Sequence, residues 1–196
     1  FLVNDDIDLA AALDADGIRE LAERTSLRVQ TGGGLRSEED LEAVLGGAVE
    51  RAVIGTAAVE NPALVERAVA RWGAERIAVG LDARGRKPAV RGWREESGQD
   101  LYDLGRALAQ RGARTVIYTD IERDGMLTGP NLEGSLALAE ETGLEVIVSG
   151  GVSRPEDIEA VGVAARQQGG IAGVIVGKAI YEGHVTVAEA VQRLRG

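Results

Sequence analysis

Cysteine is absent from the 196 residues, which excludes disulfides, thiolate nucleophiles and Cys-based metal sites. The single histidine, His184, leaves any metal site to carboxylates alone. No carboxylate cluster of that kind stands out, so no metal is expected. Aromatic residues make up 3% of the chain against 44% hydrophobic residues, so the core must be built from Ala, Val, Leu and Ile in closely packed strands and helices. No apolar run approaches the roughly 18 residues of a membrane span, so no membrane partner is expected and the cytoplasm is the expected location. The net charge of −10 argues against a nucleic-acid backbone as partner. Small phosphate ligands stay open, because backbone N–H groups and helix N-termini hold them locally.

What the chain does have is a repeat. Residues 28–59 read RVQTGGGLRSEEDLEAVLGGAVERAVIGTAAV and residues 145–181 read EVIVSGGVSRPEDIEAVGVAARQQGGIAGVIVGKAIY. Each copy is an apolar strand, a glycine run, a helix opened by Ser and acids, and a second strand ending in Gly. Gly33 pairs with Gly150, Asp40 with Asp157, Val44 with Val161 and Gly55 with Gly177. Strand–glycine–helix chemistry repeated at this distance predicts two related phosphate-binding corners, and hence a small molecule with a phosphate at each end.

Short β-branched runs at 1–3, 27–30, 51–54, 76–81, 114–118, 144–148 and 173–176 read as buried parallel strands. Helical patterns lie near 38–46, 61–71, 99–111, 131–142, 155–166 and 186–195. Ser37 and the Ser153-Arg154-Pro155-Glu156 stretch mark two helix starts, with Pro155 in a first turn, where its missing N–H costs little. A weak eighth strand at Asp16-Gly17-Ile18 completes a (β/α)₈ barrel, with chemistry at the carboxyl ends of the strands. The rival is a doubly wound open sheet; two related units in opposite halves favour the barrel, whose closure brings both to one mouth. Arg84 to Trp93 reads as a short inserted hairpin. The whole of 1–196 is expected to be one such unit.

The glycine ends carry the strongest chemical signal: Gly33, Gly34, Gly55 and Thr56 in one corner, Gly150, Gly151, Gly177 and Lys178 in the other. One glycine pair alone is most often a tight turn; four ends paired by a repeat favour anion binding. Arg36 follows the first corner and either assists its phosphate or meets a surface acid. Asp82 ends IAVGLD and Asp120 ends VIYTD, positions from which a carboxylate can serve as general acid or base, although a single strand-end Asp is more often a cap or ion pair. Thr119 stands beside Asp120 as a substrate hydrogen-bonding group. The polar loop IERDGMLTGPN follows, within which Asp124-Gly125 reads as a turn. Trp93 either stacks on a substrate ring or pins the hairpin to the body.

From about Arg19 to Gly196 the chain resembles the histidine-biosynthesis isomerases that convert phosphoribosylformimino-aminoimidazole carboxamide ribotide from aldose to ketose. The stretches that carry the resemblance are VQTGGGLRSEED, RAVIGTAAVENP, VGLDARG, VRGW, TDIERDGMLTGPN, VSGGVS and GVIVGKAIYEG. The related cyclase shares the repeat, whereas GTAAVENP, the RGW hairpin and the TDIERDG loop are similar to the isomerase. The resemblance implies a (β/α)₈ barrel, a substrate with two phosphates and an Amadori rearrangement without metal or organic cofactor. It also implies a base at the end of the first strand and an acid that opens the ribose ring. Asp82 and Asp120 are matched to the carboxylates at the mouth.

The opening departs from the family pattern. FLVNDDIDLAAALDADGI, residues 1–18, is similar to a piece of thiamine phosphate synthase, another phosphate-binding barrel, which implies a barrel shortened or recombined at its N-terminus with an atypical first βαβ unit. Asp5 is then the replacement first-strand base. Two alternatives accompany this reading. One is a phosphate-binding barrel impaired by loss of its first-strand Asp; the other is an isomerase that also serves the tryptophan pathway. A short second strand would leave an open barrel edge, and the chain is expected as a monomer or as a dimer through that edge.

Overall fold

The computed structural model describes residues 15–90 and 92–195. In chain order the elements are α1 Ala15–Arg24, β1 Gln30–Gly32, α2 Glu38–Leu45, β2 Arg51–Ile54, α3 Thr56–Glu60, α4 Pro62–Trp72, β3 Ile77–Arg84, β4 Lys87–Val90, β5 Glu95–Glu96 and α5 Leu101–Gln110. Then come β6 Thr115–Asp120, α6 Leu132–Thr142, β7 Glu145–Ser149, α7 Pro155–Gln168, β8 Ile171–Val174, α8 Lys178–Tyr181 and α9 Val187–Arg195. The strands pair in the order β1-β2-β3-β6-β7-β8, every pair parallel, with helices between them. This curled parallel sheet is the wall of a (β/α)₈ barrel. The expected first strand, Phe1 to Val3, and Asp5 lie outside the described residues.

One expected strand is a helix. Asp16-Gly17-Ile18 falls inside α1, because the segment ADGIRELAER places Ile18 and Ala22 one turn apart on the face that packs into the core. Its other face carries the ion pairs Asp16–Arg19 and Glu20–Arg24. A three-residue strand signal cannot compete with a ten-residue amphipathic one. The inserted hairpin appears as expected: β3 runs on to Arg84, turns through Gly85 at φ +54°, and returns as β4 paired antiparallel. Arg86 locks its base, donating to Asp100 at 2.8 Å and lying over the Tyr102 ring at 4.2 Å.

Among the described residues, two clusters of buried apolar residues hold the fold. The larger lies between sheet and helices and contains Leu41, Ile54, Leu64, Leu81, Leu104, Leu108, Tyr118 and Val146 among others. The smaller is made of Val152, Ile158, Ala179 and Val185. At the amino end of the strands, opposite the mouth, Arg76 donates to the backbone carbonyls of Leu45 at 2.9 Å, Val49 at 2.8 Å and Glu50 at 3.4 Å. One guanidinium thereby ties the end of α2 and the entry to β2 to the start of β3.

Candidate active site

The repeat survives in the backbone. Gly33 and Gly34 stand at φ +113° and +68°, and Gly150 and Gly151 at +90° and +84°, a region where glycine is at ease. Past each pair an aspartate gathers N–H groups from the turn before its helix. Asp40 accepts from Arg36 and Ser37 at 2.8 and 2.9 Å, and Asp157 from Ser153 and Arg154 at 2.9 and 3.2 Å. The bonds from Arg36 and Ser37 hold the Asp40 carboxyl below the usual carboxylate range. At Asp157 burial pushes upward, but the bonds from Ser153 and Arg154 outweigh it and the net shift is again downward.

The second strand of each copy ends alike. Gly55 (φ −90°, ψ −113°) and Gly177 (φ −101°, ψ −101°) share one conformation, and each opens a short helix whose second residue, Ala57 or Ala179, is buried. These helices, α3 and α8, were not expected from the sequence. Their signal was the matched GTAAVE and GKAIYE segments, too short for a helical period to show. Thr56 and Lys178 are therefore first-turn residues of these helices.

Strand register decides which strand-end groups look inward. On β3, Ile77, Val79, Leu81 and Ala83 pack into the helix-side core, so the alternate residues Ala78, Gly80 and Asp82 face the barrel interior. Asp82 pairs with Thr119, and Thr119 with Ser149. A carboxylate and two hydroxyls thus form a row across three adjacent strand ends on the inner side. Trp93 meets this row, its indole N–H donating to the Asp82 carboxylate at 2.8 Å. Of its two expected roles, pinning the hairpin is the one the geometry displays, while 42% of the residue stays exposed.

Asp120 is elsewhere. It pairs with Ala83 and shares the parity of Tyr118, which belongs to the helix-side core. The strand-end position suggested a side chain at the mouth; the register turns it the other way, and it is only 5% exposed. Its Oδ2 accepts from Asn131 Nδ2 at 2.8 Å and its Oδ1 from the Glu122 N–H at 3.0 Å, with Arg123 at 3.7 Å. Burial, then the charge of Asp120, pushes the Tyr118 hydroxyl up to about 12.

A cleft at the second corner is lined by Ser149, Gly150, Gly151, Gly177 and Lys178, and by Asp124, Gly125 and Leu127 of the loop after β6. Four of the expected site residues therefore meet in one place. Asp124 was missed as a site residue because Asp-Gly reads as an ordinary turn, and only the folded loop lays it against the glycines. Lys178 Nζ donates to the Gly125 carbonyl at 3.0 Å. Arg36 is exposed beside the first corner, and His184 is an exposed loop residue 3.9 Å from Glu182. Two non-glycine residues with positive φ, Trp93 at +67° and Leu127 at +54°, sit one on each mouth loop. Strain of this kind concentrates where loops are shaped for a ligand.

Parallel sheet, flanking helices and a duplicated glycine corner at the carboxyl end of the strands define a (β/α)₈ barrel with its working groups at one mouth. The chain belongs to the family described as histidine biosynthesis protein, whose model matches residues 6–186. It is 44% identical over 176 residues to the 1-(5-phosphoribosyl)-5-((5-phosphoribosylamino)methylideneamino) imidazole-4-carboxamide isomerase of Bacillus subtilis, a match covering 90% of this chain and 71% of that protein. The proteins of the same name from Bacillus pumilus and Geobacillus thermodenitrificans are 42% and 46% identical, over 96% and 88% of this chain and 77% and 69% of theirs. Among the described residues no helix is long and apolar enough to cross a membrane.

Proposed function

We propose that this protein is an intramolecular aldose–ketose isomerase acting on the bisphosphorylated aminoimidazole carboxamide ribotide named for its relatives. The observation that carries the reading is the Asp82–Thr119–Ser149 row, an inward-facing carboxylate with two hydroxyls in a barrel mouth that also holds two backbone-matched glycine corners. Each corner takes one phosphate: Gly33, Gly34, Gly55 and Thr56, assisted by Arg36, hold one, and Gly150, Gly151, Gly177 and Lys178 the other. Anchoring both ends spends remote binding energy on fixing the ribose between them, against the proton-transfer groups.

The reaction moves protons and needs no net oxidant or reductant. An acid protonates the ribose ring oxygen as the C1–O bond opens and the C1–N bond gains double-bond character. A base then takes the proton from C2, and the resulting enolamine becomes the 2-keto product when a proton is returned to C1 and the O2 hydroxyl gives up its own as the C2=O bond forms. Asp82 is assigned the acid role, with the Thr119 and Ser149 hydroxyls holding the sugar oxygens. The base is assigned to Asp5 on the expected first strand, with Asp124, which lines the cleft, as its competitor. Asp120, turned behind the sheet, is assigned a supporting role instead. Trp93 must release the Asp82 carboxylate, or share it, when substrate enters.

Turnover of the authentic substrate tests this. Asp82→Asn should lower kcat by about 10²–10⁴-fold, the usual worth of a positioned acid or base, without loss of fold. Full activity in that variant would overturn the assignment. Parallel measurements on Asp5→Asn and Asp124→Asn decide which carboxylate is the base, since only one of them should match the loss at Asp82.

A further inference from the structure

The loop 121–130 is closed at its neck by the Asp120–Asn131 side-chain pair. Asn131 stands at its far end as the N-cap of α6, its Oδ1 accepting from the Gly134 N–H at 2.9 Å. Its Nδ2 reaches back to Asp120 at 2.8 Å and lies 3.4 Å from the Tyr118 hydroxyl, a residue only 2% exposed. Asp120 in turn shapes the start of the loop. Its carboxylate takes the Glu122 N–H, and its carbonyl takes those of Arg123 and Asp124 at 3.1 and 3.0 Å.

What the neck holds is pressed onto the second corner. The Gly129 N–H donates to the Gly151 carbonyl at 2.8 Å, Arg123 donates to the Gly129 carbonyl at 3.2 Å, and Lys178 to that of Gly125. Within it Gly125 and Gly129 take the positive φ that glycine allows, but Leu127 also stands at φ +54°, a strained shape that persists only where its surroundings over-determine it. The Asp120–Asn131 pair supplies that constraint from outside, for neither residue lines the cleft.

We infer that Asp120 and Asn131 form a positioning clasp that sets the anion affinity of the second glycine corner through the loop 121–130, without touching the anion. The inference rests on the phosphate reading given above. It separates the two corners, since the clasp bears on Gly150, Gly151 and Gly177 and not on Gly33, Gly34 or Gly55.

Asn131→Ser tests it, because serine still caps a helix but is too short to reach Asp120. The labelled protein is titrated with inorganic phosphate, and affinity is read separately from the glycine amides of each corner. In Asn131→Ser the affinity at Gly150, Gly151 and Gly177 should fall about tenfold, the usual cost of losing an outer support, with that at Gly33, Gly34 and Gly55 unchanged. Turnover should show a raised KM with kcat nearly preserved, a split that mere loss of stability does not produce. Asp120→Asn, able to accept only one of the two carboxylate bonds, should fall between parent and Asn131→Ser. Unchanged affinity at the second corner, or an equal loss at both corners, overturns the clasp. A parent protein whose amides respond at neither corner overturns the phosphate reading itself, and the clasp with it.

Discussion

The two glycine corners share a backbone and differ in what leans on it. At Gly33 and Gly34 an added Cβ would meet nothing within 4 Å among the described residues, so glycine is needed there for its φ. At Gly151 the same atom would stand 2.4 Å from the Gly129 carbonyl oxygen, and at Gly150 2.8 Å from that of Asp120. The corners also stand on different foundations. Leu41, Val44, Ala57 and Ala58 tie the first into the large core, whereas Val152, Ile158, Ala179 and Val185 make a small cluster of their own under the second. A duplicated unit has thus kept its chain path while one copy was roofed by the loop after β6 and no described residue covers the other. Glycine alone therefore does not say whether a corner is roofed: the same residue answers a torsional demand in one copy and a steric one in the other.

The most severe way to probe that contrast is to add the missing methyl group. Gly151→Ala should cost about 3 kcal/mol, because overpacking against backbone adds to the cost of the left-handed conformation. Gly34→Ala should cost about 1–2 kcal/mol, the conformational part alone. Urea unfolding of the two variants measures both, and equal losses would break the comparison. Lys178→Ala removes a charged donor from the roofed corner and should weaken inorganic phosphate binding there about tenfold, as expected for a bond to a charged group. Thr56→Ala, at the matching place in the first corner, should have a smaller effect. Isothermal titration of each variant gives the ranking.

Acid sharpens the comparison next. Both Asp40 and Asp157 titrate below the ordinary carboxylate range in the folded state. The stability each contributes is therefore complete above the unfolded value of about 3.9 and is lost as pH falls through the lower folded value. Asp157→Ala should cost about 1 kcal/mol at neutral pH, in the range of a lost cap, and Asp40→Ala less, because Asp157 is the more buried. Stability of each variant followed from pH 7 to pH 2 should converge on that of the parent. The smallest effect is spectroscopic. Tyr118, in the large core beside Asn131, should ionise only near 12, against about 10 when unfolded. The stability this adds is whole below pH 10 and disappears as pH rises through 12, and an ultraviolet titration should show one tyrosine lagging behind the others.

Much of this was legible in the sequence. The repeat announced the paired corners, and β-branched runs placed β2, β3, β6 and β7 within a few residues. The hairpin after β3 followed from its turn residues. Asp120 shows where such reading stops. Every residue of β6 from Thr115 to Asp120 is buried, so the strand lacks the alternation that separates inner from outer side chains. Only pairing with β3 and β7 fixes that Thr119 looks inward and Asp120 outward. The stretch 16–18 failed for a different reason, since three residues compatible with a strand were also the start of a longer helical pattern. Asp124 was hidden by turn chemistry that is silent about what a turn is folded against. The resemblance to a family supplied the expected roles, and register shows only which of the strand-end residues face the barrel interior.

Arg76 has a consequence for how the molecule breathes. By fastening three carbonyls at the end of the barrel farthest from the mouth, it joins α2, β2 and β3 into one unit. Amide hydrogens in β2 and β3 should then exchange with solvent only through global unfolding, while those of the loop 121–130 and the hairpin at 84–96 exchange through local excursions many times more frequent. The mouth can move on the time scale of substrate entry without lending that motion to the floor.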